Sequence, residues 1–430
     1  YIFLDVMRED GIINKIRGGV VDACRIWAEE MRQTVRDEGV LIFFILVPLL
    51  YPLLYSWIYN NEVVRDVPVA VVDNSRTAMS REFVRHCDAS PDVRVLCYAS
   101  DMDEARALLS RQVVKGIYYL PSDFSTRLNR MEQTAVSVYC DMSLMLTYKA
   151  VYQTAMSVAL DMNSQLQVKV AGNTTDREDL VTTSPMAVTP VPMFNPSGGY
   201  GSFILPAVLM LILQQTLVLG IGLSAGTARE RNRYQDLIPF SRSYQGMFRI
   251  VMGKAMCYFM IYAVLGSYLS MIVPRLFHFV VLAEPSVLLA IMLPYIFASI
   301  FFGMVVSCMV RYRENVMLLV VFASVPLLFL SGVSWPQSNM PWYWECFSWL
   351  FPSTFGIRAY VRVNTLGASL YDVAFEYRAL WVQAAAYFLL ACLVYRHQII
   401  QSRRHALDRL DYIRRRREVK RRLRERAARK

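Results

Sequence analysis

Arg229, Glu230, Arg231, Arg233, Gln235 and Asp236 crowd one short stretch directly after an apolar run. Charged groups so arranged bind a partner non-covalently, through salt bridges and charge-assisted hydrogen bonds. Residues 202–223 before them are almost wholly apolar. At about 1.5 Å per residue they are long enough to cross a hydrocarbon core of roughly 30 Å. The charges cannot stay in hydrocarbon, so 225–248 is an aqueous loop, and its arginine excess marks it as cytoplasmic. Two readings fit it equally: a rigid surface on which a soluble partner pushes, or an ordinary positive-inside anchor.

Covalent chemistry has no matching residues. The phosphate-cradling G-x-x-x-x-G-K-[ST] loop is missing, so the chain is not expected to bind ATP. HExxH and GxSxG are missing too, and no carboxylate pair, nucleophile–base set or metal cluster lies in an apolar stretch. The four His are well separated and the eight Cys form no CxxC pair, which argues against a metal site. Cys87, Cys97 and Cys140 fall in a polar section; in an oxidising compartment one pair of them can bridge. Within the apolar runs, Gln214, Gln215 and Thr216 lie mid-span, and Tyr258 and Tyr262 add hydroxyls. Such groups line a path for an amphiphile or bond neighbouring helices, the second being the commoner use. Lys254 sits one turn inside an apolar run, where it can snorkel outward. The spans offer no buried carboxylate for ion coupling, so transport would draw its energy from another protein.

The elements that must hold these residues follow from hydropathy. Of 430 residues 55% are hydrophobic, too many for a soluble protein, yet one long polar section interrupts them. The pattern predicts an α-helical polytopic membrane protein with six transmembrane helices, at about 40–59, 202–223, 249–273, 286–310, 315–333 and 377–396. Residues 1–38 form a cytoplasmic N-terminus whose helix over 20–38 is amphipathic. Its apolar face is Val20, Cys24, Trp27, Ala28, Met31 and Val35, which would lie in the headgroup plane. Span one (39–60) is an uncleaved anchor, and the chain begins at Tyr1. Between 61 and 195, β-rich runs at 67–73, 93–99, 116–121 and 135–141 alternate with helical ones, predicting an inserted extracytoplasmic α/β domain. A long amphipathic helix over 143–170 returns toward the bilayer, and a Pro- and Thr-rich linker leads into 196–398, which holds the other five helices. The outer segment 334–376, rich in Trp, predicts one or two short interfacial helices.

The formal net charge of +11 concentrates in a basic tail, 399–430. Without interleaved aromatics it reads as a helix on anionic lipid, not as a nucleic-acid site. With both ends inside, most Arg and Lys fall on the cytoplasmic side.

Four passages carry a family likeness: VAVVDNSRTAMSREFVRHCDASPDVRV, KGIYYLPSDFSTRLNR, FNPSGGYGSFILP, and LSGVSWPQSNMPWYWECFSWLFPSTFGIRAYVRV. In this order they resemble the membrane subunits of type-2 ATP-binding-cassette exporters that carry a large external domain between the first two spans. GTARERNRYQDLIPFSRSYQGMFRIVMGK resembles that family's coupling segment, with Asn232-Arg233-Tyr234 where a Gly-Thr turn is common. The resemblance implies that Arg229, Glu230, Arg231 and Gln235 face a separate ATPase subunit, with Glu29, Glu30 and Arg32 as a second contact. It implies that ATP and magnesium belong to that partner, and that a second permease subunit, identical or a paralogue, completes the path between spans one, two and five. It places the chain in a bacterial inner membrane, exporting a hydrophobic or amphiphilic substrate, with a periplasmic adaptor as a further candidate partner. The rival reading is a non-transporting receptor or assembly platform that acts through its external domain.

Overall fold

A computed structural model describes residues 12–172, 175–184, 186, 191, 193–195, 198–230, 247–310 and 312–397, and of 12–17 and 228–230 the backbone alone. The chain divides into two compact units, Tyr1–Asn60 with Tyr200–Lys430, and Asn61–Gly199.

In the first unit, six helices among the described residues are long and apolar enough to cross a membrane. They are Glu38–Ile58, Tyr200–Thr227, Met247–Leu276, Pro285–Met309, Arg313–Leu330 and Ala374–His397, spans one to six below. Span two is the axis of the bundle: 89% of its apolar window is buried, against 28, 17 and 22% for spans one, five and six. Small residues on span two let its neighbours approach closely. A side chain at Gly220 would collide with the Phe44 ring of span one, and one at Gly226 would meet the Arg313 backbone of span five at 3.0 Å. Phe44 lies in a π-helical turn, Ile42–Leu46, where one residue is wound into the helix beyond the regular repeat.

The N-terminal helix, Ile12–Arg36, packs on span three. Its buried residues are Asp22, Ile26, Glu30 and Thr34, a row at four-residue spacing. The row differs from the predicted apolar face. Val20, Cys24, Ala28 and Val35 are exposed, whereas Trp27 and Met31 are half-buried against the bundle. The helix is held by its polar edge, because span three presents Arg249 and Lys254 to it.

Between spans five and six lie two short helices, Trp342–Ser348 and Pro352–Leu366. The first carries the exposed Trp342 and Trp344. The second is packed deeper than an interfacial helix: Gly356 admits the Tyr295 ring of span four, and the Tyr360 hydroxyl donates to the Ser270 carbonyl of span three at 3.2 Å.

The second unit is built on strands β1 (Val67–Asp73), β2 (Val93–Tyr98), β3 (Gly116–Leu120) and β4 (Ser137–Cys140), in the order β2-β1-β3-β4. β1 is parallel to β2 and β3, and β4 runs antiparallel to β3. The helices are α1 (Ala78–Asp88), α2 (Met102–Ser110), α3 (Phe124–Asn129), α4 (Met145–Ala171) and α5 (Asp176–Thr183). Val67, Val69 and Val71 pack with α1 and α4, whereas Val72 and Ile117 pack with α2 on the other face. Burial on both faces accounts for the nearly unbroken apolar run VPVAVV. The buried Tyr118 hydroxyl donates to the Val151 carbonyl at 2.8 Å and fastens α4 over the sheet.

Cys87, Cys97 and Cys140, the three cysteines of the polar section, are free thiols in this structure. Cys97 and Cys140 lie on β2 and β4, the two edges of the sheet, with two strands between them. At about 4.8 Å per strand that separation exceeds the reach of a disulfide. Burial pushes the Cys87 thiol up to about 12 and the Cys140 thiol up to about 11, so neither is a reactive thiolate at neutral pH.

Candidate functional site

The site begins with Asp37. It follows the N-terminal helix and caps span one, its Oδ1 accepting from the Gly39 and Val40 amides at 3.1 and 3.3 Å. Four amides at a helix start lack partners within the helix, and a carboxylate there satisfies some of them. The same oxygen meets Arg313 Nη2 at 3.3 Å, and Arg313 Nη1 donates to Thr227 Oγ1 at 3.2 Å. One arginine therefore ties together the start of span one, the end of span two and the start of span five. Burial pushes the Asp37 carboxyl upward. The Val40 amide, the Arg313 charge and the Thr227 hydroxyl outweigh it and hold the carboxyl below its ordinary range.

About two turns earlier in the chain, Glu30 points into the bundle. Lys254 Nζ of span three donates to its Oε2 at 2.6 Å, and the Tyr258 hydroxyl donates to Oε1. Glu30 and Lys254 are 3% and 4% exposed, so this is a buried ion pair whose carboxylate is satisfied on both oxygens. Asp22 adds a second clasp, its Oδ2 lying 3.1 Å from Arg249 Nη1. Beyond Tyr258 the contacts turn apolar. Phe44 meets the Tyr258 and Tyr262 rings edge-on at 5.6 and 4.8 Å. Tyr262 then donates to Thr216 Oγ1 at 3.0 Å on span two.

Three expectations change as a result. Lys254 does not snorkel outward, because Glu30 meets its charge inside the bundle. Glu30 does not face a partner, since both its oxygens are bonded within the chain. Buried carboxylates are also present: besides Glu30, Glu376 near the start of span six is 7% exposed and is 2.9 Å from Arg362 of the helix Pro352–Leu366. Glu29 and Arg32 remain exposed.

Of the coupling residues, the backbone of Arg229 and Glu230 ends the span-two helix, whereas Arg231 and Gln235 lie outside the described residues. So do most of the loop 225–248 and the basic tail from 398 onward. Thr216, Tyr258 and Tyr262 come together around Phe44. Their hydroxyls serve interhelical bonds rather than an open surface. Gln214, adjacent in sequence, is 1% exposed, and its Oε1, like Nε2 of the half-buried Gln215, has no partner among the described residues. Among the described residues no group of His, Cys, Asp and Glu could hold a metal ion.

The sequence reasoning passed over Asp22, Asp37, Arg249, Arg313, Arg362 and Glu376. Asp37 carried a readable signal, an N-capping acid three residues before the apolar run that opens at Val40, which marks a helix start. The others acquire meaning only from partners distant in the sequence.

The arrangement can transmit force. Glu30 links the N-terminal helix to span three, and Arg313 links span five to the start of span one and the end of span two. The family model described as ABC-2 family transporter protein matches residues 39–393. No curated protein matches the chain.

Proposed function

The chain belongs to the ABC-2 transporter family, a membrane component of ABC transporters, and from this we propose that it is the permease subunit of an ATP-driven exporter. The family match over 39–393 carries the reading. In this reading the substrate is hydrophobic or amphiphilic and leaves the cytoplasm or the inner leaflet. A separate ATPase chain seats against the loop 225–248, through Arg229, Glu230, Arg231 and Gln235, and against Glu29 and Arg32. In this reading the membrane is a bacterial inner membrane, with both termini on the cytoplasmic side and the unit Asn61–Gly199 outside as an α/β domain, an orientation that the Lys and Arg bias supports.

The charged seam supports this reading, because a motor that pushes from below needs rigid joints to the spans. Glu30–Lys254 and Asp37–Arg313 are such joints. Spans one and five, sparsely buried in the single chain, leave apolar faces for a second permease subunit, and parting them from span two would expose Thr216 and Tyr262 to a substrate. Co-purification tests the proposal. Tagged chain should retain an ATPase whose activity in proteoliposomes depends on the permease. Absence of any ATPase partner would count decisively against it, as would full function after charge reversal at Glu230 and Arg231.

A further inference from the structure

The α/β unit carries a crevice that the transport reading does not use. β1 runs parallel to its neighbour β2. After β1 the chain leaves to one face of the sheet, where α1 packs, and after β2 it leaves to the other face, where α2 packs. The carboxyl ends of these two strands, with α1 and α2 on opposite faces beyond them, frame a gap. The gap here has a volume of about 540 Å³ and is lined by Asp73, Arg76, Arg81, Tyr98, Ser100 and Glu104, among others.

The hydrogen bonds decide which groups remain available. Asp73 is spent: Oδ1 accepts from the Ser75 and Arg76 amides at 3.0 and 2.9 Å, and Oδ2 from the Ser80 hydroxyl at 2.7 Å. Glu104 uses Oε2 alone, accepting from the Ser100 amide and hydroxyl at 2.7 and 2.6 Å, which leaves Oε1 open. Arg81 gives only Nε to its own helix, donating to the Thr77 carbonyl at 3.1 Å. The Arg76 guanidinium has no hydrogen bond or ion pair among the described residues. The crevice thus offers a whole guanidinium and the amino groups of a second, one open carboxylate oxygen, and the exposed ring and hydroxyl of Tyr98.

We propose that this crevice binds a small zwitterion, its oxyanion taken by Arg76 and Arg81 and its ammonium by Glu104 Oε1 beside Tyr98. Two fixed positive and two fixed negative charges line one gap, so a simple anion or a simple cation gains from one pair and loses to the other. A molecule with both charges gains from each. Arginine forks suit a phosphate or carboxylate, and an ammonium over an aromatic ring is further stabilised. Two sources supply this chemistry: a free amino acid, or the headgroup of a zwitterionic phospholipid. The site does not depend on the ATPase docking described above.

Isothermal titration of the purified full-length chain in detergent tests the site with four probes: leucine, glycerophosphoethanolamine, glycerol 3-phosphate and ethanolamine. Saturable binding is expected for leucine, for glycerophosphoethanolamine, or for both, and which of them binds identifies the source. Arg76→Gln with Arg81→Gln should weaken that binding by about tenfold or more, the scale of losing charged hydrogen bonds, with the thermal midpoint unchanged. Glu104→Gln keeps the acceptor that Ser100 needs and should narrow the preference over glycerol 3-phosphate. The proposal fails if neither zwitterion binds saturably, if glycerol 3-phosphate or ethanolamine binds as tightly, or if the double arginine variant binds as well as the native chain.

Discussion

Lys254 of span three and Glu30 of the N-terminal helix lie 2.6 Å apart, buried together, with 223 residues of chain between them. A pair so placed fixes the angle of the helix against the span, because neither charge can be parted from the other without being stranded. Tyr258 completes the joint by donating to the second carboxylate oxygen.

Removing one partner should therefore cost more than removing both. Lys254→Met leaves a buried carboxylate uncompensated, a loss of about 3–5 kcal/mol. Glu30→Leu with Lys254→Met leaves no charge and should recover most of it. Tyr258→Phe removes one charged hydrogen bond and should cost about 1.5–3 kcal/mol. Thermal midpoints of the three variants in one detergent check the order. A double variant as unstable as Lys254→Met would refute the buried-pair account.

Asp37 separates capping from ion pairing. Asp37→Asn keeps an oxygen for the Gly39 and Val40 amides but loses the charge that Arg313 meets. Asp37→Ala loses both, and the cap alone is worth about 1 kcal/mol. The Asp37 carboxyl is held below its ordinary value near 3.8, so its contribution is fully present above that value and is lost as pH falls through the lower folded value. Native protein should therefore lose stability more steeply below about pH 4 than Asp37→Asn. Parallel acid-melting curves for the two would contradict this assignment.

These contacts mark where the sequence was legible. The six spans could be read because a bilayer demands long apolar runs whatever their neighbours, and the runs at 67–73, 93–99, 116–121 and 135–141 each contain a strand. Strand order could not be read, because β2 and β3 both pair with β1 across crossovers that periodicity does not encode. Neither could the polar row Asp22, Glu30 and Thr34. On a lone amphipathic helix it looks like the wet face, and only Lys254 and Arg249 make it the buried one. The free thiols have the same origin: three cysteines in one domain permit a bridge, and strand order forbids that between Cys97 and Cys140.

Phe44 and Gly220 should behave as one unit. The ring occupies the space that a Cβ at Gly220 would fill. Gly220→Ala should destabilise by about 1–3 kcal/mol through overpacking, and Phe44→Leu should relieve part of that loss. A double-mutant cycle on thermal midpoints should give a non-zero coupling. Strict additivity would show that the two spans do not meet at this point.

Arg362 and Glu376 fasten the helix Pro352–Leu366 to span six at 2.9 Å, and Glu376 Oε2 has no partner among the described residues. Arg362→Ala leaves a buried carboxylate without its cation, whereas Glu376→Gln leaves a neutral amide. The arginine variant should therefore be the less stable, by about 1–2 kcal/mol, the margin between charged and neutral hydrogen bonds. Thermal midpoints decide, and the reverse order would mean that solvent reaches the carboxylate.

Glu29, Glu30 and Arg32 occupy one helical turn, yet only Glu30 is turned inward. Substitutions there should split into two classes. Glu29→Lys with Arg32→Glu alters exposed charges, and surface ion pairs are worth about 1 kcal/mol or less to stability, so its melting should match the native chain. On the proposed docking, association with an ATPase subunit should nevertheless weaken, because reversed charges would meet a surface complementary to the native ones. Glu30→Gln should do the opposite first, lowering the thermal midpoint through the stranded Lys254 charge. Pull-down of the ATPase alongside melting curves distinguishes the classes. If Glu29→Lys with Arg32→Glu retains the ATPase at native levels, the N-terminal helix is a structural brace and the docking surface lies elsewhere.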